Sequence, residues 1–309
     1  MRTAFHPWDF RWLGQGPRTG NSVPVSGTFT TDRHYGFGVA DQNEPTKTNQ
    51  TKTIPEFFAE APDTDSMEIW GRFWDILGGL RDRVEERFEL TPHPSSAQFG
   101  NWRSGSFEGS LNTYTGPEAE WVVHSWIGNR SQGILDMNFQ VWLGPHVEVP
   151  HLVVVFGTIP KVFHYSDLTP RKELATNVEY MKKYYEPANE DFLEFRGDDR
   201  FTWSVSHGAY MRSIISPVGH SYTAERTDDV IESLEKRVGS RFDRWLGWVD
   251  SAEPVPEAER ADLSARDHYL RENIYRLDPM NALASRFMKP DMVEALIEAR
   301  FGAEQLAGR

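Results

Sequence analysis

Apolar residues recur at helical spacing in Ile69, Trp70, Phe73, Trp74, Leu77, Leu80 and Val84. This stripe predicts an amphipathic helix, capped by Asp63 or Thr64 and ending near Phe88, before Thr91-Pro92. From about residue 99 the period falls to two. Strands are predicted at Phe107–Tyr114, Trp121–Ile127, Ile134–Leu143, Leu152–Phe156 and Val162–Leu168. Turn residues such as Thr115-Gly116-Pro117 separate them. Connections this short make hairpins, and hairpins make an antiparallel sheet. A helical stretch follows from Pro170-Arg171 to about Tyr185, with one further turn over 190–196. A strand is predicted to return at Gly208–Ile215. Helical periodicity then fills the C-terminal third, over about 226–248, 256–277 and 290–301. The first of these carries Val230, Ile231, Leu234, Val238, Phe242, Trp245 and Leu246 on one side. Strands grouped first and helices grouped last predict an α+β fold with helices covering a central sheet.

Residues 1–62 are irregular and rich in Gly, Pro, Thr, Asn and Ser, yet Trp8, Phe10, Trp12, Tyr35 and Phe37 recur among them. That is more aromatic surface than a disordered tail carries. The expectation is an ordered arm over 1–62 and a single domain over 63–309. The arm would wrap on the domain, capping a pocket or closing a homodimer.

Composition narrows the function. Aromatics make up 13% of the chain, with 11 Trp and 19 Phe, enough for a thick aromatic core or a flat-walled pocket. The net charge of −13 and the lack of a Lys/Arg stripe disfavour nucleic acid as a partner. Having no cysteine, the chain has no disulfide, thiolate nucleophile or Cys-held iron–sulfur cluster. The sequence Met1-Arg2-Thr3-Ala4-Phe5-His6-Pro7 has no secretory h-region, and no stretch approaches the roughly eighteen apolar residues of a membrane helix. A cytoplasmic location is the default expectation. No GxGxxG follows a strand, and there is no P-loop, GxSxG or HExxH. His164, His207 and His220 are not in metal-ligand spacing. These absences disfavour a nicotinamide or metal enzyme. They point to a pocket whose reactivity comes from side-chain proton transfer, from a redox partner, or from the ligand itself.

An ordered set of strings runs through residues 99–302. They are Ser125-Trp126-Ile127, Ile134-Leu135-Asp136-Met137, Ser166 to Leu174, Glu179 to Tyr185, Arg212 to Pro217, Ala265 to Arg271 and Ala284-Ser285-Arg286-Phe287. In this order and spacing the chain resembles red chlorophyll catabolite reductase and, more distantly, the ferredoxin-dependent bilin reductases. The resemblance implies an α/β/α sandwich: one central antiparallel sheet with helices on both faces, and the ligand between the sheet and the C-terminal helices. It also implies that no metal or flavin is held. An external ferredoxin would supply electrons and the protein would supply protons to a linear tetrapyrrole. A carboxyl in an apolar pocket suits that task, because burial raises its pKa toward neutrality. The family's strand glutamate falls at Val155, and the His and Asp of the bilin reductases fall at Phe139 and Ile159. The family's C-terminal helix acid falls at Asp267.

The candidate catalytic residues are therefore Asp267, His207 and His124. The candidate ligand-binding residues are Trp126, Phe139, Val155, Tyr210, Arg212 and Arg271. Each has a plainer alternative. Asp267 and Arg271, four apart on a helix, make an exposed ion pair. His124 and Trp126, on one strand face, make ordinary core. Arg212 clamps a ligand carboxylate or pairs with a structural acid, and Asp167 is a turn or cap residue. Three activities stay open: a cofactor-free reductase of a tetrapyrrole-like or polyaromatic substrate, a non-redox acid–base lyase or isomerase acting on an aromatic molecule, and a pigment carrier.

Overall fold

The computed structural model describes residues 52–53, 69–129, 132–159 and 161–307. The first helix, α1 (Trp70–Arg87), buries Phe73, Leu77, Leu80 and Val84, the stripe read from the sequence. Its predicted caps, Asp63 and Thr64, lie outside the described residues, as does all of the 1–62 segment except Lys52–Thr53.

Among the described residues ten strands form one sheet. They are β1 (Lys52–Thr53), β2 (Thr91–Pro92), β3 (Trp102–Ser104), β4 (Phe107–Thr115), β5 (Ala119–Asn129), β6 (Ile134–Leu143), β7 (His151–Ile159), β8 (Lys161–Thr169), β9 (Phe201–Val205) and β10 (His220–Ala224). The spatial order is β1-β9-β10-β8-β7-β6-β5-β4-β2, with β3 beside β4. Strands β4 to β8 are sequential antiparallel neighbours, as the short turns require. At the far edge β1 pairs with β9 in parallel, so the sheet is not antiparallel throughout.

The remaining helices are α2 (Val178–Tyr184), α3 (Glu186–Arg196), α4 (Ala209–Ile214), α5 (Asp228–Asp250), α6 (Glu257–Arg276), α7 (Met280–Ala284), α8 (Pro290–Phe301) and α9 (Ala303–Ala307). On one face of the sheet, Met137, Phe139, Val141, Leu152, Val154 and Phe156 pack with Phe73 and Leu77 of α1 and Leu234, Phe242 and Trp245 of α5. On the other, Leu111, Trp121, Val123 and Trp142 pack with Leu270 and Tyr275 of α6 and Val293, Leu296 and Ile297 of α8. Helices thus cover both faces, in the α+β sandwich that the resemblance implies. Period two explains the arrangement. In β6 the odd-numbered residues feed the first core, while the even-numbered ones face α6 and α8.

Two local readings need correction. Gly208–Ile215 is not a strand: Ala209–Ile214 is a helix, α4. Tyr210, Arg212 and Ile214 alternate as a strand would, but six residues cannot separate the two periods, and Ala, Met and Arg favour a helix. Nor does a helix begin at Pro170-Arg171: residues 170–177 are turns and bends, and α2 starts at Val178. Strands β9 and β10, with small polar positions at Thr202, Ser204, Ser221 and Thr223, have no counterpart among the predicted strands.

The end of α8 is fixed tightly. Trp121 Nε1 donates to Arg300 O at 2.7 Å. Gly302 ends the helix in the left-handed region at φ 75°, and a Cβ there would meet the Trp121 ring at 2.9 Å. Gly302→Ala is expected to lower stability by about 1–2 kcal/mol, measured by chemical denaturation, because the backbone conformation and the ring both oppose a side chain.

Candidate functional site

The sheet face under α6 and α8 does not pack fully. It leaves a cavity of about 240 Å³, with Asp136, Asn138 and Gln140 of β6, Val153 and Val155 of β7, and Phe163 and Tyr165 of β8 as its floor. Cross-strand register puts these side chains on one face, with Asp136 opposite Gly157, Asn138 opposite Val155 and Gln140 opposite Val153. Ile214 and Ile215 form one wall; Ile274, Tyr275, Asp278, Leu283 and Arg300 close the helix side. A side chain at position 157 would stand beside Asp136, and its Cβ would meet Leu135 O at 2.6 Å. Glycine keeps that approach open. An open groove of about 800 Å³ lies beyond, lined by Lys172, Tyr185, Ser213, Arg266 and Leu270, and it shares Ile214 and Ile215 with the cavity.

Two carboxyls meet here. Burial pushes Asp136 up to about 6, against the opposing charge of Arg300; Asp278 raises it further and the Asn138 amide lowers it. Burial also raises Asp278, whose carboxylate accepts from Met280 N at 2.9 Å and feels Arg300. Arg300 stands over the Tyr275 ring at 5.3 Å. Tyr165 donates to Asp167 Oδ2 at 3.1 Å. Asp167 is fully buried in β8, where it also accepts from Leu168 N and Ser216 N, at 2.8 and 3.0 Å. It ties β8 to the segment after α4 instead of capping a turn. A carboxyl titrating near neutrality in an apolar cavity can deliver a proton to a bound ligand.

The structure brings Val155 to this cavity and distributes the other sequence candidates elsewhere. Asp267 of α6 is buried at 5% exposure, away from the lining. Its Oδ2 accepts from Arg171 Nε and Nη2 at 2.8 and 2.6 Å, and His151 Nε2 lies 3.3 Å from Oδ1. Burial alone would raise Asp267; the neighbouring ring and guanidinium outweigh it and hold the carboxyl at about 2. His151 is itself lowered to about 4 by burial, so at pH 7 the cations beside Asp267 are Arg171 and, at 3.4 Å from Oδ1, Arg266. Asp267 is therefore a fixed anion and is no proton donor near neutrality.

Arg271 does not pair with Asp267 at the surface. It is buried at 1% exposure, donates to Gln305 Oε1 at 2.7 Å and lies over the Trp121 ring. His124, Trp126 and Phe139 point to the opposite face. The His124 ring stacks on Trp74 at 3.9 Å, and burial lowers it to about 4. Trp126 meets Trp70 edge-on, and Phe139 is in the α1–α5 core. His207 and Arg212 are exposed, and Arg212 Nη1 donates to Ser206 O and His207 O at 2.8 and 2.9 Å. Being helical, Tyr210 and Arg212 do not share a face; Met211 and Ile214 of α4 reach the cavity instead. Asp136, Asn138, Gln140, Asp278 and Arg300 were missed. The legible signal was three polar residues at i, i+2 and i+4 inside the long apolar strand 134–143.

Comparison with known proteins bears on the same region. The family model for red chlorophyll catabolite reductase (RCC reductase) matches residues 74–300. Red chlorophyll catabolite reductase 1, chloroplastic, of Oryza sativa subsp. japonica is 24% identical over 265 residues, covering 75% of this chain and 78% of that one. The chloroplastic enzyme of Arabidopsis thaliana is 24% identical, covering 64% and 68%. That of Hordeum vulgare is 27% identical, covering 53% and 87%. The fold is similar to tomato phytochromobilin synthase, solved in complex with biliverdin, with a TM-score of 0.62 at 16% identity over 74% of this chain and 82% of that one. The rice and Arabidopsis names overturn the expected cytoplasmic location, since both relatives are chloroplastic. Because the family model spans α1 through α8, the chain belongs to the red chlorophyll catabolite reductase family of oxidoreductases.

Proposed function

We propose that this protein reduces a linear tetrapyrrole in the cavity between the sheet and helices α6 and α8, taking single electrons from an external ferredoxin. The carrying observation is Asp136, a buried carboxyl raised to about 6 on the cavity floor beside Val153, Val155 and Phe163, with Asp278 and Arg300 opposite. Reducing one double bond takes two such electrons and two protons; each electron builds negative charge on the conjugated ligand, and a proton neutralises it, the donor being recharged from solvent between the two. Asp136 is the donor, burial and to a lesser degree Asp278 keep it partly protonated, and Arg300 limits the charge the site accumulates. The relatives are named for reduction of red chlorophyll catabolite, and the structural neighbour was solved with biliverdin. Both names support an open-chain tetrapyrrole as the substrate class. Ligand pockets of drug-sized molecules span roughly 300–1,000 Å³. A four-ring ligand would set its reacting ring beside Asp136 and extend past Ile214 and Ile215 into the adjoining groove.

No cofactor is required of the protein in this scheme. Anaerobic incubation of a panel of linear tetrapyrroles with reduced ferredoxin should bleach or shift the visible band of at least one, in proportion to turnover. No binding and no spectral change across the panel would reject the reading. Turnover without a donor would instead establish acid–base chemistry on the ligand. Recovery of bound, unmodified pigment would establish a carrier.

A further inference from the structure

The cavity face of β6 carries a line of side-chain hydrogen bonds. Trp142 Nε1 donates to Gln140 Oε1 at 3.3 Å, and Tyr275 Oη donates to the same oxygen at 2.8 Å. Gln140 Nε2 donates to Asn138 Oδ1 at 3.2 Å. Asn138 Nδ2 donates to Asp136 Oδ2 at 2.6 Å. The direction of this line follows from chemistry. An indole N–H can only donate, whereas a phenol or a primary amide can do either. Trp142 therefore requires the oxygen of Gln140, which turns the Gln140 amino group to Asn138. Asn138 must answer with its oxygen, and its amino group is left for Asp136. Gln140 and Asn138 are only 4% and 6% exposed, so water does not compete strongly for these groups.

We propose that Trp142, Gln140 and Asn138 are positioning residues forming a one-way amide ladder. It presents a hydrogen-bond donor to Asp136 and leaves the second carboxylate oxygen for the ligand. The ladder rests on the reading of Asp136 as proton donor. Its consequence is regulation of that donor. A donor on the carboxylate favours the charged form, so the ladder counters the burial that pushes Asp136 up. It stabilises the anion that Asp136 becomes on giving its proton, until the carboxyl is recharged from solvent. The other charged or titratable side chains lining the cavity are Asp278, Arg300, Tyr275 and Tyr165. Ile127 and Gly157, the cross-strand neighbours of Asp136, carry no charge.

Carboxyl-carbon NMR of the full-length protein, labelled at aspartate, reads the Asp136 titration directly. Asn138→Leu keeps the volume and removes the donor, and should raise the Asp136 pKa by about one unit or more. Gln140→Glu cannot donate to Asn138. It should accept from Trp142, Tyr275 and the Asn138 amino group, turning the Asn138 oxygen toward Asp136 and raising its pKa as well. In the Asn138→Leu background, Gln140→Glu should then add little. An unchanged titration in Asn138→Leu overturns the ladder. So does a Gln140→Glu shift that persists in full without Asn138, since that shift would be the field of the new charge alone. If the variants do not fold, the native protein still decides. The side-chain amide signals of Asn138 and Gln140 should both follow the Asp136 titration, Asn138 the more strongly, and a failure to move overturns the proposal. Turnover of Asp136→Asn is a separate readout. Full activity there removes Asp136 as proton donor, while the carboxyl titration still decides whether the ladder exists.

Discussion

Asp136→Asn is expected to reduce turnover by roughly 10²–10⁴-fold, the range for a lost general acid, with ligand binding nearly intact. Asparagine keeps the size and the bond to Asn138 but has no carboxyl proton. The same change should alter stability in the opposite sense. Asp136 titrates at about 6 in the folded protein, above its ordinary 3.8. A group whose folded pKa is raised by burial is harmless below the unfolded pKa, where it is protonated in both states. Its cost builds as pH rises from the unfolded value of 3.8 to the folded value of about 6 and is complete above that. Two pH units correspond to at most roughly 3 kcal/mol by linkage. Asp136→Asn should therefore be at least as stable as the parent at pH 8 and little different at pH 4. In the parent, kcat should fall as pH rises through about 6 or somewhat higher once a ligand displaces water, since the acid form is the donor. Because Asp278 faces the same cavity, the observed limb belongs to the carboxyl pair. A variant that is inactive and also unfolded would point to a structural role, and one that keeps both activity and the alkaline limb would move the proton to Asp278 or to solvent.

Periodicity identified the elements that carry long, strongly patterned stretches. Strand 134–143 matches β6, and the α1 stripe from Phe73 to Val84 is buried as its spacing requires. It failed where an element is short or polar, as in α4 and in β9 and β10. The site was partly legible for the same reason. The polar ladder of β6 was visible as an alternation, but family correspondence drew attention to Val155 and Asp267 instead. Val155 does line the cavity. Asp267 was paired with Arg271, four residues on along the helix, while the structure pairs it with Arg171, 96 positions away in the chain, and at 3.4 Å with its neighbour Arg266. No local pattern reports a contact across that separation. The faces of His124 and Phe139 also depended on which layer lies above the sheet, and a single strand's alternation distinguishes two faces without saying which one holds the ligand.

Asp267→Asn is expected to act on stability, by about 3–5 kcal/mol, because it leaves the Arg171 guanidinium buried with no anion. Arg171 and His151 are both essentially inaccessible, and Arg171 Nη1 also donates to Gly144 O and Val147 O, at 3.1 and 2.5 Å. The guanidinium thereby fastens three things at one point: the β6–β7 connection, the end of β8 and the middle of α6. In a domain of this size such a loss corresponds to a fall in Tm of roughly 6–20 °C. The pH dependence has a definite sign. Asp267 is lowered from 3.8 to about 2, so its stabilising effect is complete above about 4 and is lost as pH falls toward 2. Asp267→Asn should remove that part of the acid-unfolding slope. A double replacement of Asp267 and Arg171 by leucine should recover part of the loss, since two apolar residues leave no unpaired charge. Recovery stays incomplete because the carbonyls of Gly144 and Val147 lose their donor. A folded Asp267→Asn with the parent's Tm and sharply reduced turnover would restore Asp267 to the chemistry. Retained turnover with lowered Tm confirms it as the pin that holds α6, and with it Tyr275, over the cavity.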